Sequence, residues 1–568
     1  MAPKRGAPPL VGTLTETGLQ VPLDPLVARL GGAAAYRRVL RSLTVTAAPL
    51  PGRPRGLREV RYAFFNAHAD KKATVVFPRA KVPVFAAVLD RVEVAPALAE
   101  AWASARPLPP SSLRAAQGLY PYQAAAVAHL RGLERPEGGW TAYLQMGTGL
   151  GKTRVGLAAA VGAGGPVFVV VPTLVLRTQW FDEARRLYPG LVCAAFANPP
   201  SRGRGAGRPP PGPADADLVI GILDTVRKKT PGFFSGYAMV VLDESHELHA
   251  RRSQELLWLV QGAPRVLGLS ATPDERPDGL DRFVSHFLGP PLYAEVDIPR
   301  FDIAAVVFRG RVREVDYLGG AEFVETVISA AGTVSAIQTI GNVVRDPCRL
   351  RLVAAEVERL YHLGERDPTA LGPGPPTRTH GILVFAEHRA YLPALREAIQ
   401  ELFAPPDMVA PPLEDEDASD EEGAPPLEDE DTSGEEKGPV VLRGGCASTT
   451  LREAQDARIV LTTYGYSRRG VSLTNMTALV LATPRRNGMT QILGRITRRG
   501  SDETIVRQVV DIKDISTPLK GQSTDRRKAY KAKAWPISRL RISYADFEDP
   551  AARALPGEQE TLVWAPGP

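Results

Sequence analysis

The chain is poor in cysteine. Three residues, Cys193, Cys348 and Cys446, lie far apart in 568. Neither a disulfide framework nor a zinc-ligand spacing can be drawn from them, and a reducing compartment is the simple expectation. No run of ~18 apolar residues occurs, so no membrane span is expected. The opening Met1-Ala-Pro-Lys-Arg-Gly6 lacks the apolar stretch of a secretory signal. These absences point to an intracellular, soluble protein with no membrane partner.

Basic residues and glycine-proline punctuation are what the chain has in quantity. Net charge is +6, but residues 413–437 hold thirteen Asp and Glu against one Lys, so the remaining residues carry +18. A basic body suits a partner bearing phosphates, although an arginine-rich genome gives the same composition. The acidic stretch contains a duplication, Pro411-Pro-Leu-Glu-Asp-Glu-Asp417 recurring at 425–431. Such a segment cannot bury a core. It is expected to be a solvated insert, with mimicry of nucleic-acid charge as the alternative.

Length allows about three or four domains. Residues 1–115 read as a small α+β accessory domain, in which Val60, Tyr62 and Phe64 alternate inward before a hairpin to Thr74–Phe77, and Pro107–Ser112 reads as a linker. Residues 116–300 read as an α/β lobe, with apolar strand candidates at Thr141–Gln145, Val167–Val171, Leu218–Ile222, Met239–Leu242 and Val266–Leu269. The Gly-Pro-Arg break at 198–213 reads as a surface insertion. Residues 301–380 are expected to be a helical connector. Residues 381–520 form a second α/β lobe around Ile382–Phe385, Arg458–Leu461, Ala478–Leu481 and Val506–Val510, interrupted by the insert at 411–437. Residues 521–568 read as a basic extension, whose Arg526–Lys533 either extends a nucleic-acid track or is a solvated helix face.

Met146-Gly-Thr-Gly-Leu-Gly-Lys-Thr153 follows a strand candidate and opens an Ala-rich helix, the context a phosphate loop requires. Its glycines let backbone N–H groups face phosphate oxygens at a helix N-terminus. Thr148, Gly149, Gly151, Lys152 and Thr153 are therefore the nucleotide-binding candidates. Lys152 would reach the β- and γ-phosphates and Thr153 would hold Mg²⁺. The first position departs from the strict motif, with Met146 where glycine is usual. Asp243-Glu-Ser-His246 follows Met239–Leu242 about ninety residues on. Asp243 is the Mg²⁺ candidate and Glu244 the residue to polarise attacking water. Ser270-Ala-Thr272 follows the next strand, and with His246 its hydroxyls are candidates for coupling the nucleotide to a neighbouring domain. In Gln491-Ile-Leu-Gly-Arg-Ile-Thr-Arg498, residues Gln491, Arg495 and Arg498 would share one face of a continuous helix and suit a polyphosphate.

In this order the segments resemble the superfamily 2 helicases over roughly 119–288 and 381–530. Leu119-Tyr-Pro-Tyr-Gln123 resembles the element whose Gln contacts adenine, here Gln123. Val171-Pro-Thr-Leu174 resembles the motif touching the nucleic-acid backbone. Ile382-Leu-Val-Phe-Ala386 and Thr462–Leu473 resemble motifs of the second lobe, with Gly470 carried over as a coupling residue. Ser472 stands where many relatives have Asp and is given no role. The acid and arginine boxes resemble the branch of repair, transcription and large-DNA-virus helicases, including the poxvirus transcript-release helicase. Val509–Asp514 and Gln522–Tyr530 resemble the viral group as well.

The resemblance implies two tandem RecA-like lobes with parallel sheets that clamp ATP and Mg²⁺ between Lys152 and the pair Arg495 and Arg498. It also implies movement along a nucleic-acid strand gripped by Thr173, Arg177, Thr225 and Thr463. DNA is expected over RNA, with transcription or repair proteins as partners. Host cytoplasm, nucleus or virion would be the location of a viral chain. An RNA helicase and a catalytically dead scaffold are the alternatives. A restriction motor would need an Asp…Glu-x-Lys nuclease cluster, and none stands out.

Overall fold

The computed structural model describes residues 9–47, 60–69, 72–136, 138–197, 212, 214–249, 253–271, 279–299, 308–328, 334–365, 378–403, 438–443, 448–467, 473, 475–485, 488–498, 501–515, 517–544 and 560–566. Most of the break at 198–213, the acidic insert 411–437 and Cys446 lie outside them. The chain divides near residue 306 into two compact units.

The first unit begins with strands β1 (Val11–Thr15) and β2 (Gly18–Pro22), helix α1 (Ala33–Ser42), and strands β3 (Phe65–Ala69), β4 (Lys72–Phe77) and β5 (Arg91–Val94). They form a mixed sheet in the order β3-β4-β2-β1-β5. The expected alternation at 60–64 is reversed. Val60 and Tyr62 are 41% and 56% exposed, whereas Arg61 is buried. The reason is pairing: Val60–Tyr62 lies against Thr44–Thr46. Arg61 turns inward over the Phe283 ring, toward Gln254 Oε1. The hairpin partner of β4 is β3.

Lobe 1 comes next in the same unit. Its elements are α2 (Pro121–Arg131), β6 (Trp140–Gln145), α3 (Lys152–Val161), β7 (Val167–Val171), α4 (Leu174–Leu187), β8 (Cys193–Phe196), β9 (Leu218–Ile222), α5 (Leu223–Val226), β10 (Met239–Leu242), β11 (Arg265–Ser270), α6 (Asp281–Leu288) and β12 (Pro291–Tyr293). The seven strands run parallel in the order β8-β9-β7-β10-β11-β6-β12. Helices cover both faces, so β7 and β10 are buried at every residue and must be apolar throughout.

The accessory domain is not separate from lobe 1. Leu14, Val75 and Phe77 share one core with Phe234, Tyr237, Val260 and Phe287. Arg79, fully buried, donates to the Ala263 and Gly138 carbonyls at 2.5 and 2.7 Å and lies over the Trp102 ring. The expected linker is docked too, since Ser112 Oγ donates to Asp217 Oδ2 at 2.6 Å.

The second unit contains β13 (Gly310–Leu318), α7 (Ala336–Val343), α8 (Pro347–His362), β14 (Gly381–Ala386), β15 (Val440–Leu442), β16 (Ile459–Thr463), β17 (Met476–Leu481), α9 (Met489–Leu493), β18 (Arg507–Asp514), α10 (Ser523–Ala532), β19 (Ile537–Ser543) and β20 (Thr561–Trp564). Its sheet has the order β15-β16-β14-β17-β18-β13-β19-β20, parallel except for β20 at the edge. The stretch read as a helical connector therefore also supplies an inner strand, β13. Its charged residues hid it, and they are neutralised in place. Arg313 pairs with Glu356, Glu314 with Arg527, and Asp316 with Lys513. The stretch read as a basic extension supplies β19 and β20. On α10, Arg526 is buried against Asp511 at 2.8 Å and the partly exposed Arg527 grips Glu314, so these two arginines fasten the helix to the sheet. Among the described residues, no helix is long and apolar enough to cross a membrane, and Cys193 and Cys348 are free thiols.

Candidate active site

The loop from Met146 to Gly151 joins β6 to α3. Gly149 and Gly151 have φ of 84° and 83°, the left-handed region where side chains are strained. A Cβ at Gly151 would also meet Gln123 Nε2 at 2.3 Å. The loop is tied at both ends. Met146 N–H donates to Ser270 O at 3.1 Å. Gln123 Nε2 and the Tyr122 hydroxyl donate to Leu150 O at 3.0 and 3.1 Å, and Tyr120 N–H donates to Gln123 Oε1 at 3.1 Å. Gln123 is thus a buried strut of the loop. Tyr120, 48% exposed, stacks parallel to Tyr122. Met146 is fully buried in the lobe core, so the departure from glycine is absorbed by packing. Lys152 Nζ points back to Met146 O at 3.4 Å. Thr148, Gly149 and Thr153 keep part of their surface exposed around the N-terminus of α3, a cradle of N–H groups that fits a polyphosphate.

Asp243 follows β10, and its N–H donates to Val170 O on β7. Trp180 Nε1 donates to its Oδ2 at 2.7 Å, and Glu244 N–H donates to Oδ1 at 2.9 Å. Burial pushes the Asp243 carboxyl up to about 6, the Glu244 carboxylate adds to this, and the Trp180 N–H and Lys152 charge oppose it. A carboxylate so short of solvation, with lone pairs left on both oxygens, fits a hydrated cation. Glu244 sits at φ 47°, a strained conformation for a residue with a side chain. Its Oε2 lies 3.4 Å from His246 Nδ1, which is 3.1 Å from Ser270 Oγ. Ser245 Oγ donates to Leu269 O and locks the turn to β11. Thr272 lies outside the described residues.

Trp180 has no motif of its own to mark it. It is fully buried on α4, packed against Gly156 of α3, where a Cβ would come within 2.9 Å of its ring. Thr173 caps α4 by accepting from Leu176 N–H at 3.3 Å. Arg177, one turn on, has no carboxylate partner among the described residues and is half-buried. Thr225 lies on α5, after β9. Because β9 and β7 are sheet neighbours, Thr173, Arg177 and Thr225 share one end of the sheet with Asp243. Pro172, Leu223, Asp243 and Glu244 line one small cavity there.

In lobe 2, Thr463 ends β16, where its Oγ1 accepts from Tyr466 N–H at 3.2 Å and caps the turn. The expected continuous helix through Gln491, Arg495 and Arg498 is absent. Helix α9 stops at Leu493 before Gly494, and the backbone goes on in tighter turns, Arg495 N–H to Ile492 O and Ile496 N–H to Leu493 O. The turn is held by Arg507 at the head of β18, buried outright. Its guanidinium donates to Ile496 O, Ile505 O and Ser501 Oγ at 2.5, 3.0 and 2.8 Å. Ser501 Oγ in turn donates to Arg498 O at 2.6 Å. Arg495 is buried, and Gln491 and Arg498 are partly exposed. Gly470 and Ser472 lie outside the described residues.

Two parallel-sheet lobes, the first with a phosphate loop beside an Asp-Glu-x-His box, define a superfamily 2 helicase. Residues 120–280 match the DEAD/DEAH box helicase family. "Putative ATP-dependent RNA helicase QP509L" of African swine fever virus is 36% identical over 530 residues in the Kenyan pig isolate, covering 93% of this chain and 92% of that protein. The Malawi tick isolate gives 36% over 532 residues, covering 94% and 92%. Dbp5 of S. cerevisiae, solved bound to RNA and ADP BeF3, is 11% identical with a TM-score of 0.45, covering 76% of this chain and 95% of that one. The chain belongs to the DEAD/DEAH-box helicases of superfamily 2, in company with helicases of large DNA viruses, and is an ATP-hydrolysing enzyme of that type.

Proposed function

We propose that this helicase is a translocase that tracks one nucleic-acid strand by its sugar–phosphate backbone, with DNA as the strand it follows. Support comes chiefly from Lys152, Asp243, Glu244, His246 and Ser270 standing at adjoining strand ends of one sheet, next to Thr173, Arg177 and Thr225 at the starts of α4 and α5. Thr148, Gly149, Gly151 and Lys152 cradle the phosphates of ATP, and Gln123 fixes the loop and would read adenine only by giving up its bond to Leu150 O or Tyr120 N–H. Thr153 and Asp243 would hold Mg²⁺, which would neutralise phosphate charge. Glu244 orients the attacking water and takes its proton. Arg495 and Arg498, with Gln491, counter the charge that grows as the γ-phosphoryl group leaves. His246, Ser270, Thr272 and Gly470 pass the nucleotide state to the strand contacts, which include Thr463. Glu244→Gln and Arg498→Ala are expected to bind ATP within a few-fold of the parent while hydrolysis falls by roughly 10²–10³ or more, because both act in the transition state. Comparable losses of binding and turnover in single-turnover assays would reject those roles.

The DNA reading rests on the resemblance of the acid and arginine boxes to repair and viral helicases. RNA is the second reading, favoured by the name that the African swine fever virus relatives carry. ATP hydrolysis measured with matched single-stranded DNA and RNA separates them. Stimulation by DNA is the expected result, stimulation by RNA alone transfers the reading to RNA, and stimulation by neither rejects a translocase.

A further inference from the structure

We propose that helix α1 of the accessory domain is a second phosphate-binding surface of the motor, gripping the sugar–phosphate backbone of the nucleic acid outside lobe 1. The inference rests on the translocase reading. Residues 25–58 contain seven arginines and no lysine, aspartate or glutamate. Three of those arginines, Arg37, Arg38 and Arg41, are exposed on α1. The helix seats itself by Tyr36, Val39 and Leu40 against the core shared with lobe 1, and this seating turns the arginines outward.

No carboxylate pairs with Arg37, Arg38 or Arg41 among the described residues. The nearest polar contact is Arg41 Nε with the Arg37 carbonyl at 3.4 Å. Arg37 and Arg41 stand four residues apart, and Arg38 and Arg41 three, so the guanidiniums repel one another on one helical face. By contrast, Arg29 in the same domain is paired with Asp90, and Arg61 and Arg79 are buried. A row of permanently charged forks without carboxylate partners is relieved by a polyanion, and arginine matches phosphate geometry. The buried Arg79 contacts fix the domain to lobe 1, so a strand held on α1 moves with lobe 1.

The test uses the full chain with Arg37→Gln, Arg38→Gln and Arg41→Gln combined, beside a triple Arg→Lys variant. Equilibrium binding to labelled single strands and tailed duplexes, of DNA and of RNA, is followed from low to high KCl without ATP. Each phosphate contact contributes about 0.7 (single strand) to 0.9 (duplex) to the slope of log K against log salt. The Gln triple is expected to lose about two units of slope and roughly tenfold or more in affinity on at least one substrate. The Lys triple should keep the slope, and ATPase without nucleic acid should be unchanged in both. The substrate with the largest loss identifies the strand type. An unchanged slope in the Gln triple, while the parent binds and is stimulated, overturns the proposal. So does loss of binding with equal loss in the Lys triple, since a lost fold and not lost charge would then be responsible. A parent that neither binds nor responds to any oligonucleotide instead overturns the translocase reading beneath it.

Discussion

Asp243 is held by two donors of different kinds. One is its neighbour's N–H, supplied by any backbone, and the other is the Trp180 indole N–H across 63 residues of sequence. Removing the second with Trp180→Phe keeps most of the packing but leaves a buried carboxylate oxygen without its donor. The expected outcome is a carboxyl that titrates higher, a several-fold weaker Mn²⁺ affinity by electron paramagnetic resonance, and a fall in kcat on the order of tenfold. Unchanged Mn²⁺ affinity would show that Trp180 serves packing alone. The pH dependence carries a definite sign. A carboxyl raised to about 6 in the folded protein binds its proton more tightly than in the unfolded chain. Its contribution to stability is therefore full at low pH and is lost as pH rises through about 6. In the metal-free protein, stability relative to Asp243→Asn should decline from pH 5 to pH 7.5. Activity runs the other way, because only the carboxylate holds a cation, so kcat/KM should drop below about pH 6 and the acid limb should move lower as Mg²⁺ is raised. An acid limb indifferent to Mg²⁺ would assign it to another group. The backbone shape of the loop at 146–151 was legible in the sequence because glycines at fixed spacing before a helix dictate it. Trp180 was not, because its role is made by a tertiary contact and its residue type alone suggests only core.

At the scale of elements, legibility followed burial. Strands covered by helices on both faces, such as β7 and β10, read as unbroken apolar runs. Strand β13 did not, because Arg313, Glu314 and Asp316 break its pattern, and only the folded chain brings Glu356, Arg527 and Lys513 to them. The arginine box illustrates the same limit. Its spacing is compatible with one helical face, but the helix stops at Leu493 and the buried Arg507 holds the tighter turn that follows. Arg507 is a positioning residue for that turn. Replacing it by Lys keeps the charge and loses the planar fork, so at most one or two of the three acceptors stay satisfied. The expected result is a fall in kcat of roughly ten- to a hundredfold with ATP KM within about threefold. Arg507→Ala should fall further and also lower the thermal stability of lobe 2. A kcat unchanged in Arg507→Lys would mean that the turn needs no such anchor.

For the whole molecule, the boundary that composition suggests near residue 115 is not a boundary of packing. Accessory domain and lobe 1 are built on one core, which holds Leu14, Val75, Phe77 and Phe85 together with Phe234, Tyr237, Val260 and Phe287. Cutting there would expose several large apolar side chains, each worth about 1.5–3 kcal/mol of burial. It would also remove the Arg79 hydrogen bonds to the Gly138 and Ala263 carbonyls. This loss is comparable with the ~5–15 kcal/mol by which domains are stable. A chain beginning at residue 116 is therefore expected to be insoluble or to unfold at growth temperature. The point variant Arg79→Ala isolates the cause. It removes a buried cation hydrogen-bonded to two carbonyls and should cost about 3 kcal/mol or more, read as a lowered first unfolding transition with the lobe 2 transition unmoved. Arg79→Lys should recover little, since one ammonium cannot span both carbonyls and lie flat on the Trp102 ring. A soluble, ATP-binding 116–568 fragment would show instead that lobe 1 closes its own core, and that the accessory domain is an addition to the motor and not part of its foundation.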